Sequence, residues 1–126
     1  MRIAFTTWQF VRVMVRLEET RRDAADRRVL YREWQADWSV LDAELERLRD
    51  ADFDAFSELM MEREVVFEGV APATARTVAA VADEVAAQLA AERRGAARRA
   101  RDDLDFERAE LAALAARLRA DADRPG

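Results

Sequence analysis

No glycine or proline falls between residues 7 and 68 of this chain, which has only three glycines and two prolines in 126 residues. Nothing in that stretch breaks a helix, and its apolar residues recur at helical spacing. From Phe10 they fall near a heptad: Phe10, Val13, Leu17, Ala24, Tyr31, Trp34, Trp38, Leu41, Leu45 and Leu48. A three-and-four spacing sustained this far predicts a coiled-coil-like seam, interrupted at Thr20 and Arg27. Thr6-Thr7-Trp8-Gln9 has the form of a capping box and sets the helix start. Unbroken to residue 49, such a helix would be roughly 65 Å long. Residues 11–17 also alternate as a strand would, but no partner strand suggests itself elsewhere, which favours the helix.

The phase of the apolar pattern slips at Asp50-Ala51-Asp52. Asp52 suits the N-cap of a second helix running to about Glu68, with Phe53, Phe56, Leu59, Met60 and Phe67 as apolar positions. Gly69 can take the left-handed conformation that stops it, and Pro72 fits the first turn of a third helix. Val78, Val81, Val85 and Leu89 form the stripe of that helix. Gly95 marks a bend, and Asp102 reads as the cap of a last helix with Leu104, Leu111, Leu114 and Leu118 on one face. That helix carries a second stripe, Phe106, Ala109, Ala113, Ala116 and Ala120, where another backbone can come close.

The fold class that follows is all-α: antiparallel helical hairpins forming a three- or four-helix bundle with coiled-coil-like packing. Residues 1–126 read as a single helical domain, with a long N-terminal hairpin at 7–68, an Ala-rich hairpin at 73–120 and a short disordered tail at 121–126. The halves differ in bulk, since nine of ten aromatics precede residue 68 and twenty of 27 alanines lie in residues 71–122.

Composition narrows the chemistry. The chain has no His, Cys, Lys or Asn, and its net charge of −5 comes from Arg against Asp and Glu. Triads built on His, thiol nucleophiles, lysine Schiff bases and soft metal sites are therefore out of reach. Isolated glycines build no phosphate loop. Local carboxylates such as Glu62 with Glu64, or Asp102, Asp103 and Asp105, read as a solvated helix face. The expectation is a protein that is not an enzyme, with no catalytic, cofactor-binding or metal residues and no cofactor. No apolar run approaches the ~20 residues that span a bilayer. Arg12 and Arg16 interrupt the only segment resembling a leader, so the expectation is a cytoplasmic protein without membrane insertion.

Two surfaces stand out as candidates for partners. Phe53, Phe56, Met60, Met61 and Phe67, with Phe106 on the last helix, form a candidate partner-binding set. Residues 56 and 60 cannot share a helix face with 61, so one of the two methionines points away from the core. Arg93, Arg94, Arg98, Arg99 and Arg101 form a candidate anion patch. Arg grips phosphate and carboxylate in bidentate fashion, but no aromatics interleave here and three aspartates follow, so nucleic acid is not the expected partner.

Leu41, Leu45 and Leu48, the step Asp52-Phe53-Asp54-Ala55-Phe56, and then Leu59 ahead of Glu62-Arg63 resemble flagellar export chaperones of the FlgN and FliT type. Leu89-Ala90-Ala91-Glu92-Arg93-Arg94 is similar to the end of their third helix. The resemblance covers about residues 41–95, and the first forty residues depart from it in length and aromatic content. It implies a small cytoplasmic chaperone that holds the terminal helices of an export substrate in an apolar groove, with the last helix as a regulatory cover.

From the residues themselves, the expected function is a non-catalytic helical protein–protein interaction module or adaptor holding an amphipathic partner helix. One alternative is a self-assembling coiled-coil subunit, a homo-oligomer built on the N-terminal seam. Another is an anion or nucleic-acid binder using Arg93 to Arg101.

Overall fold

A computed structural model describes residues 1–125. Helices dominate it. Along the chain run β1 (Ile3–Thr6), α1 (Thr7–Thr20), α2 (Ala25–Ala51), α3 (Phe53–Glu62), β2 (Glu64–Phe67), α4 (Pro72–Arg94) and α5 (Arg98–Asp123). They form two compact units, residues 2–68 and Met1 with the chain from Gly69 onward.

The first unit departs from an all-helical reading. β1 and β2 pair antiparallel, with Ile3 opposite Phe67 and Thr6 opposite Glu64. Ile3 and Phe5 alternate inward and are fully buried. Residues 11–17, whose alternation also suited a strand, are helical within α1, and the strand pair forms instead from Ile3–Thr6 and Glu64–Phe67. The second helix stops at Glu62, not near Glu68, because Glu64-Val65-Val66-Phe67 is β-branched and aromatic and has Ile3–Thr6 to pair with. Phe67 thus belongs to a strand. Gly69 is left-handed (φ 65°), as expected, but it follows a strand rather than a helix.

The capping box at Thr6 forms: the Gln9 amide donates to Thr6 Oγ1 at 3.1 Å, and the Thr6 amide donates to Gln9 Oε1 at 2.9 Å. The Thr7 amide and hydroxyl both donate to the Arg63 carbonyl at 2.9 Å, which fastens the start of α1 to the end of α3.

Residues 7–49 are not one rod. The chain turns at residues 21–24 without a glycine or proline. The two residues that interrupt the heptad make the turn. Arg27 Nη1 donates to Thr20 Oγ1 at 2.9 Å, Thr20 Oγ1 donates to the Arg16 carbonyl at 2.8 Å, and the Asp23 amide donates to the Thr20 carbonyl at 2.9 Å. α2 then folds back on α1, and Phe10 meets both Trp34 (6.1 Å) and Trp38 (6.2 Å). Phe67 stacks on Trp34 at 4.3 Å, and Phe5 completes the cluster. Aromatic pairs in such geometry contribute about 0.5–1.5 kcal/mol each beyond their buried area.

The second unit is an antiparallel hairpin of α4 and α5. Pro72 occupies the first turn of α4, and Gly95 ends it. Val78, Val81, Val85 and Leu89 are buried, as are Leu111, Leu114 and Leu118. Ion pairs link the helices at successive heights: Arg93–Asp105 (2.6 Å), Arg119–Asp83 (2.7 Å) and Arg76–Asp123 (2.8 Å). All are about half exposed or more, so solvent screens them and each adds little. Asp102 does not cap α5. The helix begins at Arg98 behind Ala97, without a side-chain cap. Residues 121–123, expected in a disordered tail, are helical, and Ala122 is buried; Gly126 of that tail lies outside the described residues. The second stripe of α5, from Phe106 to Ala120, faces solvent.

Candidate functional site: the exposed face of α3

α3 is ten residues long and contains Phe53, Phe56, Leu59, Met60 and Met61, yet none of its residues is buried. The helix forms because Asp52 Oδ1 accepts the Ala55 amide at 3.0 Å, which separates α3 from α2 across a single residue. That short link leaves α3 on the surface of the unit with its apolar side chains partly uncovered.

Helical spacing sorts them. Phe53, Ser57 and Met61 lie four residues apart and form one ridge. Phe53 is 69% exposed and Met61 59%. Phe56 and Met60 are half-buried behind that ridge, and the Arg49 guanidinium covers the Phe56 ring at 5.8 Å. The two methionines do diverge, Met60 inward and Met61 outward. On the other side of the ridge Asp54, Glu58 and Glu62 repeat at the same four-residue interval, all exposed. Beyond this acidic row a shallow groove of about 380 Å³ opens between α2 and α3, lined by Leu48, Ala55 and Leu59 with Glu58, Glu62 and Arg63 at its rim. Apolar surface therefore flanks the acidic row on both sides. Arg63 is already engaged by Glu44 at 3.1 Å. Among the described residues, Asp54, Glu58 and Glu62 have no ionic partner.

The remaining candidate residues are dispersed. Phe67 is stacked on Trp34 and belongs to the aromatic cluster rather than to the α3 surface. Phe106 is 58% exposed on the other unit. The arginine cluster divides by role. Arg93 Nε donates to Asp105 at 2.6 Å, and Arg101 Nε donates to the Ala96 carbonyl at 2.9 Å. Arg94, Arg98 and Arg99 are exposed and carry no ionic partner among the described residues. The guanidinium of Arg93, helped by Arg108, holds the Asp105 carboxyl below its usual value of 3.8. Sequence reasoning missed the α2–α3 groove, because it depends on how Leu48 and Leu59 sit across the Asp52 step.

Among the described residues, no group of three or more acidic side chains is placed to hold a metal ion. No helix among them is long and apolar enough to cross a membrane. No family model, characterised protein or solved structure matches the chain.

Proposed function

We propose that the protein is a non-catalytic helical interaction module whose α3 face receives an amphipathic helix of a protein partner. One observation carries this reading: a helix with five large apolar residues in ten fully buries none of them and leaves Phe53 and Met61 mostly exposed. Within a folded chain such a face is uncommon unless something else covers it. The methionines support the same reading, because flexible thioethers adapt to partners of differing shape. The reading agrees with the resemblance of residues 41–95 to export chaperones, which implies a cytoplasmic adaptor that holds helices for transfer. The test is nuclear magnetic resonance mapping with a designed amphipathic helical peptide of neutral polar face. Shift changes concentrated in residues 53–62 are expected; changes confined to the Phe106 stripe, or none at all, overturn the proposal.

A second reading, anion binding at the α4–α5 tip, is favoured by the unpartnered Arg94, Arg98 and Arg99. Self-assembly through a long N-terminal seam loses its support, since α1 and α2 fold back on each other.

A further inference from the structure

We infer that the helix received by α3 is basic: an amphipathic helix of another protein, with Arg or Lys repeating every four residues beside its apolar stripe. The inference rests on the docking role proposed for α3 and specifies its partner.

Asp54, Glu58 and Glu62 stand in a row along the length of α3, one per turn. An apolar ridge lies on one side and an apolar groove on the other. A helix laid along either apolar strip therefore runs beside three carboxylates. Docking takes water away from them, which strengthens attraction to a cation and makes an unmatched carboxylate costly. Among the described residues, two cations beside α3 are engaged elsewhere, Arg63 by Glu44 and Arg49 over Phe56, and neither supplies the matching charge. The partner must bring it.

A second copy of this chain does not fit. Its other exposed aromatic, Phe106, is flanked on α5 by Asp102, Asp103 and Glu110, all exposed, so that stripe would set carboxylates against carboxylates. Its unpartnered cations, Arg94, Arg98 and Arg99, lie around Gly95 among Ala96, Ala97 and Ala100, and the exposed aromatic Phe106 is two turns along α5 from Arg99. On α5 the cations that share the Phe106 face, Arg99 and Arg117, stand two or more turns from the ring, and the charged residues one turn from it, Asp102, Asp103 and Glu110, are acidic, whereas the α3 surface requires positive charge directly beside an apolar stripe.

The experiment uses the full chain and two designed peptides of about 18 residues, roughly five turns. They share one Leu/Phe stripe and differ only in a flanking row of Lys or of Glu. The Lys peptide is expected to bind about tenfold or more tighter at low salt, with the difference shrinking at about 0.5 M salt. In the Glu58→Lys/Glu62→Lys variant the preference should invert; both residues are exposed, so the fold is kept. Equal binding of the two peptides overturns the charge rule while leaving the docking role intact. Failure of both to bind, together with the neutral peptide, overturns the docking role itself. Concentration-dependent self-association abolished by Arg98→Glu/Arg99→Glu would show that a second copy is the occupant and would overturn the inference.

Discussion

α3 and α4 invert the usual relation between apolar content and burial. α3 carries large side chains, Phe, Leu and Met, and fully buries none; α4 carries mainly Ala and Val and buries Ala75, Val78, Ala79, Val81, Ala82, Val85 and Leu89. The difference lies in length and partner. α4 is 23 residues long and lies along the 26 residues of α5, so its small side chains bring two backbones together over many turns. α3 has ten residues, and its ends are fixed by Asp52 and by the Arg63 carbonyl. Its direction is set by those anchors rather than by its own apolar stripe. Burial follows from where an element is held, and α3 is held at the surface.

That contrast can be broken most forcefully in the hairpin. Leu111 is fully buried, so Leu111→Ala should destabilise the protein by about 2–5 kcal/mol, read as a shift in the denaturant midpoint. A loss as small as that of a surface substitution would mean the hairpin is no better packed than α3.

A smaller effect is expected at Asp105. Its carboxyl is held below 3.8 in the folded protein, chiefly by the hydrogen bond from Arg93. A depressed carboxylate contributes stability at pH values above its ordinary unfolded value, and that contribution disappears as pH falls through the lowered one. Titration followed by nuclear magnetic resonance should place Asp105 below 3.8 in the native protein and return it towards that value in Arg93→Ala. An unchanged titration in the variant would remove the pair from the account.

The smallest effect should come from α3 itself. Phe53→Ala with Met61→Ala removes two large exposed side chains and should change stability by no more than about 0.5 kcal/mol. A loss of several times that would mean α3 contributes to folding as α4 does, and the contrast would collapse.

Much of the local architecture was legible because it depends on short-range chemistry. The Thr6 box, the Asp52 cap, Pro72 at the start of α4 and the stop at Gly95 each involve a few adjacent residues. The rest depends on a distant segment or on a side chain across a turn. Helical periodicity carries residues 64–67 to the end of a helix, and the strand they form is hidden because its pairing partner lies more than fifty residues away. The turn at 21–24 was hidden because its determinants, Thr20 and Arg27, lack the usual breaker chemistry. The candidate site divides in the same way. Helical spacing set Met60 and Met61 on different faces, but only the fold separated Phe67 from Phe53 and Phe56 and opened the groove over Leu48 and Leu59.

The sequence by itself determined a chain dominated by helices, the residues that begin and end most of them, and a side-chain inventory without His, Cys or Lys. Those properties are written in periodicity, capping and composition, which need no third dimension. The tertiary structure decided which apolar residues are covered. Covering requires a partner surface at the right place, and for Ile3, Phe5, Trp34 and Phe67 the chain supplies one. For Phe53 and Met61 it does not.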